Sequence, residues 1–274
     1  MIALLGVVMF LPTPNDQYQH YQPSDLALID NFQYLSHHIR WGDVVILDPN
    51  AVYSSREGLD YATRVFFPNG LQYVRDPAGY RRIWYITVDG QQDKKLAQAV
   101  GTGRIAEEFV GPPLFLMRLY EGPPDPIGVL FENGMRFHGA DVIKNDDDSL
   151  ETGPFIRHEG ESVKLRLWWS VDHDAAVKVD YSIGVYVLNA QGEVISQSDS
   201  APQVTNQPAQ TSQWTANAFF LDTRELKMPF PGQSGDYSVE IAVYDSQNPQ
   251  QRIQGLGLNA RNALPVASFS IKAW

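Results

Sequence analysis

Cysteine is absent from the 274-residue chain, which excludes disulfides, thiol chemistry and thiolate metal sites together. Positive charge is scarce: 21 Lys and Arg stand against 32 Asp and Glu, a formal net charge of −11. The deficit runs through both halves, −4 before Pro126 (10 basic, 14 acidic) and −7 from there on (11 basic, 18 acidic). Neither half offers a basic face, so nucleic-acid binding is excluded as a main role. The sequence also lacks an Asn-x-Ser/Thr sequon and a G-x-S-x-G nucleophile elbow, which removes N-glycosylation and an α/β-hydrolase from consideration. What is present, 43% hydrophobic and 12% aromatic residues, describes a packed globular protein long enough for two domains.

The longest apolar run opens the chain. Residues 1–11 read MIALLGVVMFL, without a charge or a polar side chain. A membrane-spanning helix needs about 20 such residues, so this run covers about half a bilayer. It also lacks the positive start of a signal peptide. The preferred reading is the outer end of a truncated transmembrane helix, followed by a Pro-rich exit up to residue 22; the alternative is a buried N-terminal strand or helix. No Lys or Arg occurs after it until Arg40, which suits the non-cytoplasmic side of a membrane.

From residue 23 the pattern changes. Pro23-Ser24-Asp25 forms a helix start, and Leu26, Ile29, Phe32, Leu35 and Ile39 recur near helical spacing. Val44-Val45-Ile46-Leu47 is a continuous apolar run suited to a strand buried on both faces, as in parallel sheets. A short helix over 61–67, strands over 71–74 and 83–88, a helix over 93–100 and closing strands at 109–110 and 114–119 follow. This alternation predicts a small α/β layered domain over 23–121. Gly122-Pro123-Pro124-Asp125-Pro126 is the linker, because three prolines in five residues suit neither a helix nor a sheet interior.

Beyond the linker the period is two. Leu165, Leu167 and Trp169 alternate with Lys164, Arg166 and Trp168; Tyr181, Ile183, Val185 and Val187 form a second such strand, and Tyr237, Val239, Ile241 and Val243 a third. With runs at 127–131, 135–142, 194–197, 218–221 and 266–271, this gives seven or eight strands and no helix over 127–274. The expected fold there is an antiparallel β-sandwich, Ig-like or jelly-roll-like, which makes the whole an α+β two-domain chain.

Several motifs resemble one family. RFHGADV at 136–142, VKLRLWW at 163–169, DYSIGVYVLNAQGEVISQSD at 180–199, TSQW at 211–214 and GDYSVEIAVYD at 235–245 resemble a β-sandwich module at the C-terminal end of bacterial GT-C-type polytopic membrane glycosyltransferases, the protein-mannosyltransferase-like and lipid-linked-sugar transferase group. PSDLALIDNFQYLSHHIRWGDVVILD at 23–48 is similar to the α/β segment after the last transmembrane helix of those proteins. The resemblance implies a membrane-anchored region outside the cytoplasm, with glycan or lipid-linked saccharide as partner. It also implies that the catalytic carboxylates lie in a part of the family that nothing here matches, so no catalytic residue is carried over.

Candidate chemistry is sparse. Asn145-Asp146-Asp147-Asp148-Ser149 lacks EF-hand spacing and reads as a solvated loop. Asp172-His173-Asp174 places its ligands too close in sequence to converge, and adjacent helical residues such as His37 and His38 point about 100° apart. No metal is expected. Val100-Gly101-Thr102-Gly103-Arg104 lacks the third glycine of G-x-G-x-x-G and follows a helix, so no nucleotide cofactor is expected either. Sugars stack on exposed aromatic rings. Trp168, Tyr186 and Tyr244 fall on outer strand faces by alternation, and Trp214 in a loop, which makes these four the candidate carbohydrate-binding residues. The functional expectation is a noncatalytic accessory region of a membrane glycosyltransferase-like protein; the alternative is a cell-surface carbohydrate-binding or adhesion protein.

Overall fold

A computed structural model describes residues 23–272 apart from 51–55, 89–91, 111–114, 145–149, 152, 173–176, 206 and 230–232. The expectations placed on residues 1–22, on 145–149 and on His173-Asp174 therefore lie outside the described residues. The chain is mostly β, and it divides into two compact units between Gly122 and Pro123.

The first unit runs α1 (Pro23–His38), β1 (Val44–Leu47), α2 (Arg56–Phe66), β2 (Arg82–Val88), α3 (Lys94–Gly101), β3 (Ile105–Val110) and β4 (Phe115–Glu121). Its sheet has the order β1-β2-β4-β3. β1 and β2 are parallel, in register from Val44 opposite Ile83 to Leu47 opposite Ile86, because the chain crosses over through α2 between them. β4 is antiparallel to both β2 and β3, so the sheet is mixed. The run expected as a strand over 71–74 is reduced to one parallel bridge, Tyr73 to Val45.

Alternation sorts the apolar side chains of β1 and β2 onto two faces. Val45, Trp84 and Ile86 pack with Phe32, Leu35, Ala62 and Phe67 beneath α1 and α2. Val44, Ile46, Ile83 and Tyr85 pack with Val100, Leu96 and Ala97 of α3. Helices thus cover both faces, which is why β1 reads as unbroken hydrophobicity. At the N-terminal end of β1 the Asp43 carboxylate accepts from Arg82 Nε at 2.7 Å and Trp84 Nε1 at 2.9 Å. Arg82 also pairs with Glu121 at 3.1 Å. Burial works against the Arg82 cation, but Asp43 and Glu121 more than offset it and hold its pKa above the ordinary value.

The second unit contributes nine strands among the described residues: β5 (Val129–Leu130), β6 (Met135–Ile143), β7 (Ile156–His158), β8 (Ser162–Val171), β9 (Tyr181–Leu188), β10 (Val194–Ser200), β11 (Phe220–Lys227), β12 (Gly235–Asp245) and β13 (Leu264–Lys272). They form a five-stranded sheet, β10-β9-β12-β13-β7, and a four-stranded sheet, β11-β8-β6-β5. Leu165, Leu167 and Trp169 from one sheet and Ile183, Val185, Val239, Ile241 and Val243 from the other share a single core. This is a β-sandwich. It is not purely antiparallel: β7, a three-residue strand with no alternation to announce it, pairs parallel with β13. The ladder of β6 breaks between Phe137 and Ala140, where Gly139 takes a φ of 106°. A Cβ there would stand 2.8 Å from Pro124 Cβ, so the bulge lets the chain leaving the linker lie against the strand.

One ion pair lies inside the sandwich. Asp222 and Arg224 face inward on β11 beside Phe220 and Leu226, and both are 0% exposed. Arg224 Nε donates to Asp222 at 2.8 Å, and its other nitrogens reach β10 and beyond, to Ser200 Oγ at 2.7 Å and the Ala201 carbonyl at 3.1 Å. Asp222 also accepts from the Gln203 amide at 2.6 Å. Burial pushes the Asp222 carboxyl above its ordinary pKa, against the pull of Arg224 and the Gln203 amide.

Arg82→Ala leaves two buried carboxylates, Asp43 and Glu121, without their shared cation. It is expected to lower the stability of the chain by about 3–5 kcal/mol, measured by urea denaturation; a loss within 0.5 kcal/mol, the size of an ordinary surface substitution, would show that the network is solvated.

Candidate functional site

The four aromatic candidates are all buried, at 0% exposure for Trp168, 6% for Trp214, 9% for Tyr186 and 8% for Tyr244. Alternation placed Trp168 on the right face of β8, since Trp169 belongs to the core and Trp168 does not. That face is nevertheless covered. Trp168 Nε1 donates to Asp141 at 2.7 Å, Arg166 pairs with the same oxygen at 2.9 Å and lies over the indole, and Phe219 packs edge-on at 5.8 Å. Tyr186 and Tyr244 meet a different cover. The loop 246–263 folds back over the five-stranded sheet, tied by the Ile253 amide to the Val243 carbonyl at 2.7 Å and by a bridge from Tyr244 to Arg252. Arg252 lies 5.0 Å above the Tyr186 ring, whose hydroxyl donates to Asp199 at 3.1 Å. Trp214 is core: it stacks on Phe220 at 4.3 Å and donates to the Pro208 carbonyl at 2.9 Å. None of the four presents an open ring face to a sugar. For Trp168, Tyr186 and Tyr244 the reason is that period two reports which face a residue occupies and says nothing about what later folds onto that face; Trp214, expected in a loop, is drawn inward by its stack on Phe220.

The four-stranded sheet that carries Trp168 also holds His138, on β6 and 4% exposed. Its Nδ1 lies 2.8 Å from the Asp125 carbonyl, which can only accept, so Nδ1 carries the proton and Nε2 accepts from Ser170 Oγ at 2.8 Å. Burial lowers the His138 pKa, with the Arg136 charge adding to it. The residue is a neutral strut.

Two clefts remain. The larger, about 670 Å³, lies at the C-terminal end of β1 and is mostly apolar, with Ile46, Leu47, Tyr73 and Leu96 in its lining. The end of a parallel strand is where α/β sheets hold ligands, but the Asp48 carboxylate in its lining is already engaged. Asp48 accepts from the Tyr85 hydroxyl, the Asp93 amide at 2.7 Å and the Asn50 amide at 2.8 Å. Burial and then the Asp48 contact raise the Tyr85 pKa, so that hydroxyl keeps its proton. Asp93 in turn caps α3, taking the Lys95 and Leu96 amides that an anion would need.

The smaller cleft, about 460 Å³, lies at one end of the sandwich. Glu132 and Asn133 come from the turn before β6, Tyr181 from the first residue of β9, and Gln250, Gln254 and Asn262 from the loop 246–263. The turn closes through Gly134, at φ 87°, whose amide donates to the Phe131 carbonyl at 2.9 Å. Turn and loop are joined by the Glu132 amide to the Gln254 carbonyl at 2.9 Å. The far arm of the loop is fixed by Asn259, whose side chain accepts the Arg261 and Ala263 amides, and by Arg261 on both oxygens of Glu240. Burial and the Asp245 charge raise the Tyr181 pKa, against a contact with the Asn133 side chain. Sequence reasoning missed this site because its residues are polar loop positions that meet only through the fold. Among the described residues, no three His, Asp or Glu side chains gather as a metal ion would require.

No protein-family model and no characterised protein sequence matches the chain. Solved structures resemble parts of it only distantly. The C-terminal domain of wzt has a TM-score of 0.33 and 12% identity, covering 62% of this chain and 81% of that one. The CARDB domain of the PF1109 protein from Pyrococcus furiosus, solved with di-metal ions, has 0.27 and 13%, covering 51% and 94%. The Pseudomonas fluorescens alkylpurine DNA glycosylase AlkC, bound to DNA containing an abasic site analog, has 0.28 and 14%, covering 51% and 31%. At these scores the likenesses carry no argument about fold or function.

Trp168→Ala is expected to cost about 3–5 kcal/mol of stability in denaturant titration, the price of an emptied buried indole site; an unchanged midpoint would restore Trp168 as a surface residue. His138 sets a pH dependence. Its folded pKa lies below that of the unfolded chain, so below about pH 6.5 the unfolded state takes up a proton that the folded state refuses. Stability from this residue is full above that pH and falls as the pH drops through it. His138→Asn should flatten that part of the stability–pH curve, and an equally steep curve in the variant would assign the slope elsewhere.

Proposed function

We propose that the chain is a noncatalytic, extracytoplasmic accessory region of a membrane glycosyltransferase-like protein that orients an acceptor glycan or a partner beside the membrane. The motif resemblance and the apolar opening at 1–11 lead to this reading; among the described residues no helix is long and apolar enough to cross a membrane. The observation that carries the accessory role is how the buried acids are used. Asp43 and Glu121 hold Arg82, Asp141 holds Arg166 and Trp168, Asp222 holds Arg224, and Glu240 holds Arg261. A carboxylate that acts as general acid or base must face the reacting atoms and exchange its proton with them. Carboxylates locked onto guanidinium groups inside the fold serve it as fasteners. A carbohydrate-binding surface protein is the second reading, favoured by the amide-lined cleft.

The reading frame upstream of residue 1 in the source genome tests the proposal. Apolar segments of about 20 residues each, long enough to span the bilayer, are expected there. A stop codon directly ahead of Met1, with no such segment, would remove the transferase association.

A further inference from the structure

We infer that the cleft at the end of the sandwich binds a neutral glycan through its hydroxyl groups. Four of its side chains, Glu132, Gln250, Gln254 and Asn262, line the space without a side-chain hydrogen bond to any described residue. Three of them are carboxamides. Each offers a carbonyl acceptor and an NH2 group with two donors, while Glu132 adds two acceptor oxygens. A sugar hydroxyl donates one hydrogen bond and accepts others, so a mixed wall of donors and acceptors matches a row of hydroxyls better than it matches an apolar or singly charged ligand. Tyr181 brings an aromatic side chain to the same lining, the kind of surface on which sugar C–H faces rest.

Charge narrows the class further. Arg252, the cation in the lining, is engaged over the Tyr186 ring and donates to the Arg261 carbonyl at 3.1 Å. Glu132 in the same lining balances that cation, and with 32 acidic against 21 basic residues in the chain the cleft has no net positive charge to favour a phosphate or a uronic acid. The backbone of the walls is held by the Glu132 amide on Gln254, the Ile253 amide on Val243 and the Asn259 bonds, so the positions that carry the polar side chains are set before a ligand arrives. The volume of about 460 Å³ falls among ordinary small-ligand sites, about 300–1,000 Å³. Naming a glycan among hydroxyl-rich ligands rests on the reading proposed above; the neutral hydrogen-bonding character of the cleft does not.

The test is an NMR titration of the 15N-labelled full chain, following backbone and carboxamide signals. The probes are maltohexaose, mannohexaose, xylohexaose and galactohexaose, with inorganic phosphate and a proline-rich peptide as contrasting ligands. At least one neutral hexasaccharide is expected to shift signals at 132–133, 181, 250–254 and 262. Gln250→Ala/Gln254→Ala, at exposed loop positions, should weaken that binding by about tenfold or more, since two hydrogen bonds are lost, while leaving the spectrum elsewhere unchanged. Silence to all four saccharides, shifts confined to other surfaces, equal binding by the double variant, or a response to phosphate or peptide alone would overturn the inference. The two proposals fail separately. Saccharide binding with a stop codon ahead of Met1 keeps the cleft and removes the transferase, and a silent cleft below membrane-spanning segments does the reverse.

Discussion

An arginine buried between two sheets is the constraint on which the second unit turns. Arg224 cannot lose its charge at any pH a cell reaches, and at 0% exposure it has no water to share that charge with. Asp222 neutralises it, and Ser200 and the Ala201 carbonyl take its remaining donors. Those partners lie on the neighbouring edge of the opposite sheet. The pair therefore does what an apolar side chain could not: it ties β11 to β10 in one register, because hydrogen bonds have direction and hydrophobic contacts have little. Such a pair adds less net stability than its short distances imply, since desolvation offsets much of the attraction. Its contribution is to make one arrangement of the two edges much better than its alternatives.

The same solution recurs at other buried charges. Arg82 bridges Asp43 and Glu121 at one end of the first unit's sheet, and Arg166 and Trp168 share the Asp141 carboxylate on the outer face of β8. Coverage follows from these ties. Once Asp141, Arg166 and Phe219 close over Trp168, and the loop 246–263 closes over Tyr186 and Tyr244, neither sheet has a broad aromatic face left for a ligand. Unspent hydrogen-bonding capacity collects at the end of the sandwich, where a turn and the returning loop meet. The place of the candidate site is thus a consequence of what the fold has used up elsewhere.

Much of this was legible in the residues. The four-residue run at 44–47 and the alternation in β8, β9 and β12 stand where pattern placed them. These are local properties, fixed by side-chain period and backbone preference. What escaped was non-local. β7 is three residues long and gains its identity from pairing with β13, more than 100 positions away. Asp222 and Arg224 fall beyond the short strand expected at 218–221, and although i and i+2 share a face, sequence does not say which face is inside. The exposure assigned to Trp168, Tyr186 and Tyr244 failed for the same reason, and the cleft had no linear signature at all.

The most direct test is a double-mutant cycle across Asp222 and Arg224, read by urea denaturation of the full chain at neutral pH. If the pair is a coupled internal fastener, Asp222→Ala and Arg224→Ala each cost about 3–5 kcal/mol, and the double variant costs less than their sum by about 1–3 kcal/mol. Strictly additive losses, or single losses within 0.5 kcal/mol, would contradict the account, since they would mean that the two charges stand in water and that the sheets are joined by something else.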